Sequence, residues 1–220
     1  MPVRKIPKSY RARTGVFYSF KNKCGVGFES ALEEDFCLRQ EFKKFVIGYE
    51  GQPLWVDFKS NGRNKHYPPD YLVKYAQLSG ILPLLAEIKY LSELKKKEAE
   101  FKDKFDAAKK YAKESGMEFK VFTENDIRLP DLENLKFLYK FALMPTMFFE
   151  YKEKIVSNIL MEQKMTIGQL LNRLSTDRYE QAKAVPTLLH LMYLGVVVSD
   201  LNKKLNKKSI IEVADGNIGT

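Results

Sequence analysis

Three ionisable residues in the first half of the chain have the types and the spacing that phosphate-ester chemistry requires. Asp70 follows Pro69, and Glu87 and Lys89 lie seventeen and nineteen residues further on, with Ile88 between them. Carboxylate oxygens are the ligands that Mg²⁺ prefers, so Asp70 and Glu87 could share one ion. A neighbouring lysine can orient a water or neutralise charge that builds up on a phosphate. The set therefore predicts metal-assisted hydrolysis.

Two predicted strands must bring these side chains together. Asp70 begins the extended run Asp70–Tyr75, and the apolar run Leu82–Tyr90 predicts a buried strand that carries Glu87 near its end. Side chains alternate along a strand, so Glu87 and Lys89 share one face and Ile88 points into the core. Charges at a half-buried strand end are costly unless they are paired or bound to metal. From the residues alone, a salt bridge at a strand end explains the set equally well.

The surrounding pattern predicts an α/β core and a second, smaller domain. Apolar spacing predicts a helix over Phe28–Phe45, and Ser60-Asn61-Gly62 is typical of a hairpin turn. A helix over residues 91–114, its lysines and acids forming a solvated face, leads to a strand over 117–123. We place the core at residues 1–143. Residues 144–220 predict short helices followed by a β-hairpin, the order of a winged-helix domain.

Charge and composition narrow the functional class. The 220 residues carry 37 basic and 28 acidic side chains, a net charge of +9, and residues 1–28 contain seven of the basic ones and no acid. Such an arm favours a polyanion such as nucleic acid over a solubilising tail. We expect DNA contacts from its basic residues Arg4, Lys5, Lys8, Arg11 and Arg13. Two cysteines and two histidines make a disulfide scaffold or a zinc site improbable, and the sequence predicts a cytoplasmic protein.

The spacing Pro69-Asp70…Glu87-Ile88-Lys89 resembles the PD…(D/E)xK pattern of the restriction-endonuclease-like superfamily. Other segments, in the same order, resemble TnsA, the endonuclease subunit of heteromeric transposases of the Tn-seven type. The matching segments are Arg4–Arg11, Thr14-Gly15-Val16, Phe28-Glu29-Ser30, Leu32-Glu33, Asp35-Phe36, Tyr49-Glu50, Gln52-Pro53, Tyr67, Pro69-Asp70-Tyr71, Thr123-Glu124, Asp126-Ile127, Asn134-Leu135 and Leu138. The resemblance covers nearly the whole chain and is densest in residues 4–138.

The resemblance implies a specific role. TnsA cuts the 5′, non-transferred strand at transposon ends, while a DDE-type recombinase, TnsB, cuts and joins the 3′ ends. The C-terminal region of the family contacts TnsC, an AAA+ regulator. On this basis Glu29, Asp70 and Glu87, with the carbonyl of Ile88, hold Mg²⁺, for which Mn²⁺ can substitute, and Lys89 assists the attacking water. The best-known member has Gln at the position of Glu87.

Two alternatives stay open at the level of sequence. A stand-alone repair or restriction nuclease of the same fold would cut DNA without a recombinase. A non-catalytic adaptor that binds DNA or protein would use Asp70, Glu87 and Lys89 only as structural groups. We interpret Glu33, one turn after Glu29, as a salt-bridge partner, and Gln52 as a residue of a turn or of the site.

Overall fold

The computed structural model describes residues 13–143 and 150–214. The chain divides into two compact units, Met1–Arg128 and Leu129–Thr220. The sequence predicts the division later, between residues 143 and 144, and the segment Met144–Thr146 on which this prediction depends lies outside the described residues. The difference arises from a helix over Leu132–Tyr139. Its Asn134 Nδ2 donates to the carbonyls of Leu201 and Lys203, at 2.6 and 2.8 Å, and so ties the helix to the second unit.

The first unit is built on a mixed four-stranded sheet, which confirms the predicted α/β class. Its strands are β1 (Gly15–Ser19), β2 (Cys24–Phe28), β3 (Val46–Gly51), β4 (Val56–Ser60), β5 (Arg63–Tyr67), β6 (Tyr71–Tyr75), β7 (Leu84–Ile88) and β8 (Glu118–Phe122). Its helices are α1 (Ala31–Phe42), α2 (Leu91–Lys96), α3 (Glu98–Glu114) and α4 (Glu124–Ile127). The sheet order is β3-β6-β7-β8, while β1–β2 and β4–β5 form separate hairpins.

Strand β7 is the central element of this sheet. All five of its residues are buried, because β6 and β8 flank it and helices cover the sheet. It pairs antiparallel with β6, Tyr71 opposite Ala86, and parallel with β8, Glu87 opposite Val121. A parallel pair needs a long crossover connection, which α2 and α3 supply. The end of β7 therefore lies beside the start of β6, where Asp70 is located.

Helix α3 covers the core with the face that its sequence spacing predicts. Phe101, Ala108 and Ala112 are buried, and Gly116, with φ of +67°, follows the helix in the left-handed conformation of a C-terminal cap. The predicted continuous helix over residues 91–114 is nevertheless two helices. The backbone at Lys97, with φ −121° and ψ 28°, leaves the helical region and separates α2 from α3.

The described part of the amino-terminal basic segment leads into a hairpin, which its charge pattern does not predict. Gly15–Ser19 and Cys24–Phe28 pair as an antiparallel hairpin. Phe17 and Ser19 point inward while Val16 and Tyr18 are exposed, the alternation of a half-buried strand. At its turn, Asn22 Nδ2 donates to the carbonyl of Tyr49 at 2.6 Å and the N–H of Tyr49 donates to Asn22 Oδ1 at 3.1 Å. The Asn22 side chain thus occupies hydrogen-bonding positions of the edge strand β3.

The second unit follows the predicted order of helices and a hairpin. Its elements are α5 (Leu132–Tyr139), α6 (Glu150–Glu162), β9 (Lys164–Thr166), α7 (Ile167–Leu174), α8 (Arg178–Tyr193), β10 (Val197–Val198) and β11 (Ile210–Val213). The strands form a sheet in the order β10-β11-β9. Thr166 caps α7, its side chain accepting from the N–H of Gln169, and α8 continues through Pro186. Assignment to the winged-helix class stays a prediction.

Neither described stretch of the chain contains a helix with the length and apolar character that a membrane span requires.

Candidate active site

The structure brings together three of the residues that the sequence singles out. Lys89 Nζ lies 3.0 Å from Asp70 Oδ2 and 3.0 Å from Glu87 Oε1, so that one ammonium group bridges two carboxylates. The N–H of Ile88 donates to Asp70 Oδ2 at 2.7 Å, and Lys89 Nζ also donates to the carbonyl of Ile88 at 2.9 Å. The antiparallel register of β6 and β7 produces this cluster, because it places the start of one strand beside the end of the other.

Glu87 is the most deeply placed member of the cluster. Its side chain is 0% exposed, and a second lysine, Lys104 of α3, reaches Glu87 Oε1 at 2.6 Å. The Lys104 ammonium also lies 4.1 Å from the ring centroid of Tyr67, the last residue of β5. An ammonium over an aromatic face is electrostatically favourable. Two cations and one aromatic ring therefore surround a carboxylate that water does not reach.

Burial and neighbouring charges shift the protonation of this cluster. Burial raises the pKa of Glu87, the charge of Asp70 raises it further, and Lys89 and Lys104 act in the opposite direction. Burial alone would lower the pKa of Lys89, but the charges of Asp70 and Glu87 outweigh it and the pKa is raised. The direction of this shift favours the charged form of Lys89 at neutral pH.

Glu29 is linked to this cluster through Gln52. Gln52 Nε2 donates to Glu29 Oε1 at 3.1 Å, and the N–H of Gln52 donates to the carbonyl of Asp70 at 2.8 Å. Gln52 is buried and has a φ of +47°, a backbone conformation that is uncommon for residues other than glycine. Gln52 thus connects Glu29, which precedes the N-cap of α1, with Asp70, the residue before β6, and it lies at the candidate site.

The pKa of Glu33, in α1, also depends on the charges of this cluster. Its Oε2 accepts the N–H of Glu29 at 2.8 Å, and its Oε1 accepts the hydroxyl of Ser30, the N-terminal cap of α1, at 2.9 Å. Burial, followed by the negative charge of Asp70, raises the pKa of Glu33 to about 7. The positive charge of Lys89 acts in the opposite direction and lowers the pKa of Glu33. The sequence interpretation of Glu33 as a salt-bridge partner did not foresee a half-buried carboxylate whose pKa responds to the charge of Asp70.

The predicted DNA contacts of the arm fall mostly outside the described part of the chain. Arg4, Lys5, Lys8 and Arg11 lie outside the described residues, and the expectation for them stays a prediction. Arg13 is described and exposed, and its Nη2 lies 2.9 Å from Glu34 Oε2, at the start of α1.

The donor set is suited to a hard divalent cation. Within residues 13–143 and 150–214, no three His, Cys, Asp or Glu side chains are grouped as a ready metal site. Asp70 and Glu87, however, present carboxylate oxygens, and Glu87 Oε2 is buried with no hydrogen-bond partner. A buried charged oxygen without a partner is costly, and a bound cation would supply one. The residues therefore fit the ion that the sequence predicts, although the three-carboxylate ligand set stays a prediction.

Comparison with protein families matches residues 43–124 to the family described as TnsA-like endonuclease N terminal. A search of curated proteins gives no match. The matched segment contains Asp70, Glu87, Ile88, Lys89 and Lys104, which is most of the cluster, and it points to a nuclease of Tn-seven-type transposition. The match over residues 43–124 therefore supports a TnsA-like family for this chain.

Proposed function

We propose that the chain is a Mg²⁺-dependent DNA endonuclease that cuts the 5′, non-transferred strand at transposon ends during cut-and-paste transposition. The observation that carries this proposal is the position of Lys89 Nζ, 3.0 Å from Asp70 Oδ2 and from Glu87 Oε1, inside a TnsA-like endonuclease domain. A structural salt bridge accounts less well for the cluster, because Glu87 Oε2 is buried without a hydrogen-bond partner.

Each residue of the cluster has a defined task in this proposal. The oxygens of Asp70, Glu87 and the Ile88 carbonyl would hold the cation, and the chain around the start of α1 would add a carboxylate from Glu33 or Glu29. When bound, Mg²⁺ acts as a Lewis acid toward the scissile phosphate and favours the deprotonated form of a bound water. Lys89, which remains charged, orients the attacking water and neutralises the charge that develops on the phosphate. Lys104 lowers the pKa of Glu87, against the effect of burial, and its ammonium holds Glu87 Oε1 in place.

The partners in this proposal follow from the family resemblance. A TnsB-like recombinase recognises the transposon ends and cuts the 3′ strands, and a TnsC-like AAA+ ATPase contacts the C-terminal domain. The net charge of +9 supports a polyanionic substrate. The setting of this reaction is the bacterial cytoplasm, at the nucleoid.

Cleavage of strand-labelled transposon-end DNA, with the neighbouring recombinase and Mg²⁺, tests the proposal. We expect Asp70→Ala and Lys89→Ala to reduce 5′-strand cutting by about 100-fold or more while 3′-strand cutting persists. Asp103→Ala and Lys113→Ala, which change exposed residues of α3, are matched controls and should cut normally.

The same assay separates the alternatives. Unchanged 5′ cutting by both cluster variants would contradict the assignment and favour a non-catalytic adaptor. Efficient cutting by the wild-type chain alone, without recombinase, would instead indicate a stand-alone nuclease. Omitting Mg²⁺ and adding EDTA should stop 5′ cutting, and Mn²⁺ should restore it.

A pair of matched variants decides which glutamate near the start of α1 completes the site. Glu33→Gln and Glu29→Gln both remove one charge and keep the side-chain shape. We expect Glu33→Gln to raise the Mg²⁺ concentration that half-maximal cutting requires, because the charge of Asp70 contributes to the raised pKa of Glu33. Glu29→Gln should change it less, since Glu29 contacts Gln52. The reverse order would assign the role to Glu29.

A further inference from the structure

The hairpin formed by β4 and β5 carries basic side chains for which the described residues provide no ion pair. Lys59, Arg63 and Lys65 are all exposed, and none takes part in a salt bridge within the described chain. Asp57 is the one acidic residue between Val56 and Tyr67, so this segment has an excess of positive charge. Such a surface is complementary to a polyanion.

The hairpin holds these side chains in a fixed register. Asn61 and Gly62 have φ of 51° and 72°, and positive φ at both positions is the requirement of a type I′ turn between two strands. Opposite residues share a face of the ribbon, and the pairs are Phe58 with Lys65 and Ser60 with Arg63. Lys65 and Arg63 therefore lie on one face, two residues apart.

Lys59 lies on the opposite face of the same ribbon. It pairs with Asn64, which lies between Arg63 and Lys65 in the sequence. Adjacent side chains on a strand point to opposite faces, so Lys59 and Asn64 lie on the face opposite to that of Arg63 and Lys65. Both faces of the hairpin thus carry exposed basic side chains, and those of Lys59 and of Lys65 point in opposite directions.

The face that carries Lys65 and Arg63 continues directly into the candidate active site. Tyr67 shares that face and, with Val56, packs against Ala108 of α3, so the base of the hairpin is part of a buried cluster. The ring of Tyr67 is 4.1 Å from the ammonium of Lys104, which reaches Glu87. The strand then runs through two prolines to Asp70. Since Pro68 and Pro69 have restricted backbone freedom, the hairpin and Asp70 are held in a defined relation.

The spacing of these groups suits a nucleic-acid backbone. At a rise of about 3.3 Å per residue, Lys65 lies about 7 Å and Arg63 about 13 Å along the strand from Tyr67. The face therefore offers two cations in a row that leads away from the carboxylates, and arginine and lysine are the residues that most often position a protein on phosphates.

We propose that Arg63 and Lys65 bind backbone phosphates of duplex DNA beside the scissile bond, so that the β4–β5 hairpin holds the substrate in register with Asp70 and Glu87. This inference rests on the proposed function, because it assumes that DNA is the substrate. It assigns the contact to phosphates and not to bases, and therefore expects no sequence preference from the hairpin.

Fluorescence anisotropy with a fluorescein-labelled DNA duplex, in EDTA so that no cleavage occurs, tests this inference in the full chain. The slope of the logarithm of the binding constant against the logarithm of the salt concentration counts phosphate contacts, at about 0.9 for each contact in duplex DNA. We expect Arg63→Gln/Lys65→Gln to reduce the magnitude of this slope by about 1.8. Lys59→Gln, on the opposite face, should leave the slope within error of wild type. Thermal unfolding of each variant checks that the fold is retained.

The outcomes distinguish a failure of this inference from a failure of the proposed function. A wild-type slope in the double variant overturns the role of the hairpin and leaves DNA as the substrate. An equal decrease in Lys59→Gln also overturns it, because the effect would then reflect net charge and not one face. Absence of DNA binding by the wild-type chain, even at low salt, contradicts the proposed function itself.

Discussion

The buried carboxylate of Glu87 forms ion pairs with two lysines, which come from different parts of the fold. Lys89 follows it on the same strand face, and Lys104 reaches it from α3. An ionised carboxylate with no exposed surface is tolerated only when it is paired and hydrogen-bonded. The resemblance to TnsA places Gln at this position in the best-known member, and Lys104 explains how this chain accommodates an acid there.

We expect Lys104→Met to lower the free energy of unfolding by about 2 kcal/mol, because it removes one of the two lysines that pair with the buried Glu87. The double variant Lys104→Met/Glu87→Gln should recover most of this loss. Chemical denaturation of the two single variants and the double variant measures the coupling.

Lys102→Met is the matched control for this prediction, since Lys102 is exposed on the same helix. Equal stability of Lys104→Met and Lys102→Met would show that Lys104 does not support Glu87.

The sequence predicts Asp70, Glu87 and Lys89 of this cluster but does not predict Lys104, and the difference has a physical reason. Asp70, Glu87 and Lys89 are recognisable because strand alternation fixes which face each side chain takes. Lys104 is one of many lysines between acids on a helix, a pattern identical to that of a solvated face. Only the packing of α3 against the sheet and Tyr67 distinguishes it from its neighbours.

At the scale of elements, the β1–β2 hairpin is the part of the first unit that the sequence describes least well. Its sequence has the pattern of a basic, glycine-containing arm. In the structure, however, the hairpin covers the edge strand β3. Lys21 Nζ donates to the carbonyls of Lys43 and Val46, at 2.5 and 2.7 Å, and Asn22 pairs with Tyr49. These contacts are long-range, so no local pattern signals them, whereas the Asn61-Gly62 turn is signalled by its own residues.

We expect Lys21 to make the free energy of unfolding depend on pH in the alkaline range. Burial lowers its pKa to about 8 from 10.5, so the unfolded state binds the proton more tightly than the folded state between these values. The free energy of unfolding therefore gains a contribution that rises with pH from about 8 to 10.5. Urea denaturation across this range should give a steeper rise for wild type than for Lys21→Met.

The exposed Lys44 provides the control, and Lys44→Met should follow the wild-type pH dependence. The same slope in wild type and Lys21→Met would contradict the burial of Lys21.

At the scale of the whole molecule, the two units have separate cores. Fully buried residues of the first unit include Leu32, Phe36, Tyr71 and Leu85, and those of the second include Ile155, Leu170, Leu188 and Ile211. The Asp70–Glu87–Lys89 cluster lies wholly within the first. The order of elements in the second unit was predictable because α7 begins at the side-chain cap Thr166 and apolar spacing marks α8. The assignment of α5 to that unit was not, since it depends on Asn134 contacting a distant loop.

We expect a fragment of residues 1–128 to fold and to unfold cooperatively on heating, because it contains the complete sheet and its covering helices. Far-ultraviolet circular dichroism of the fragment measures this, with the full chain as reference. The fragment should retain Mn²⁺ binding but should not bind a TnsC-like partner through the missing unit. A fragment without a cooperative transition would contradict the independence of the first unit.

The position of the single tryptophan has a spectroscopic consequence. Trp55 directly precedes β4, is 41% exposed, and lies with its ring 4.8 Å from that of His66. Intrinsic emission excited selectively from tryptophan therefore originates from one place, at the base of the β4–β5 hairpin. A change in emission wavelength on adding DNA would report on that hairpin without any label. During denaturation the same signal follows only the first unit, so its midpoint, set beside that of circular dichroism, shows whether the two units melt together or in sequence.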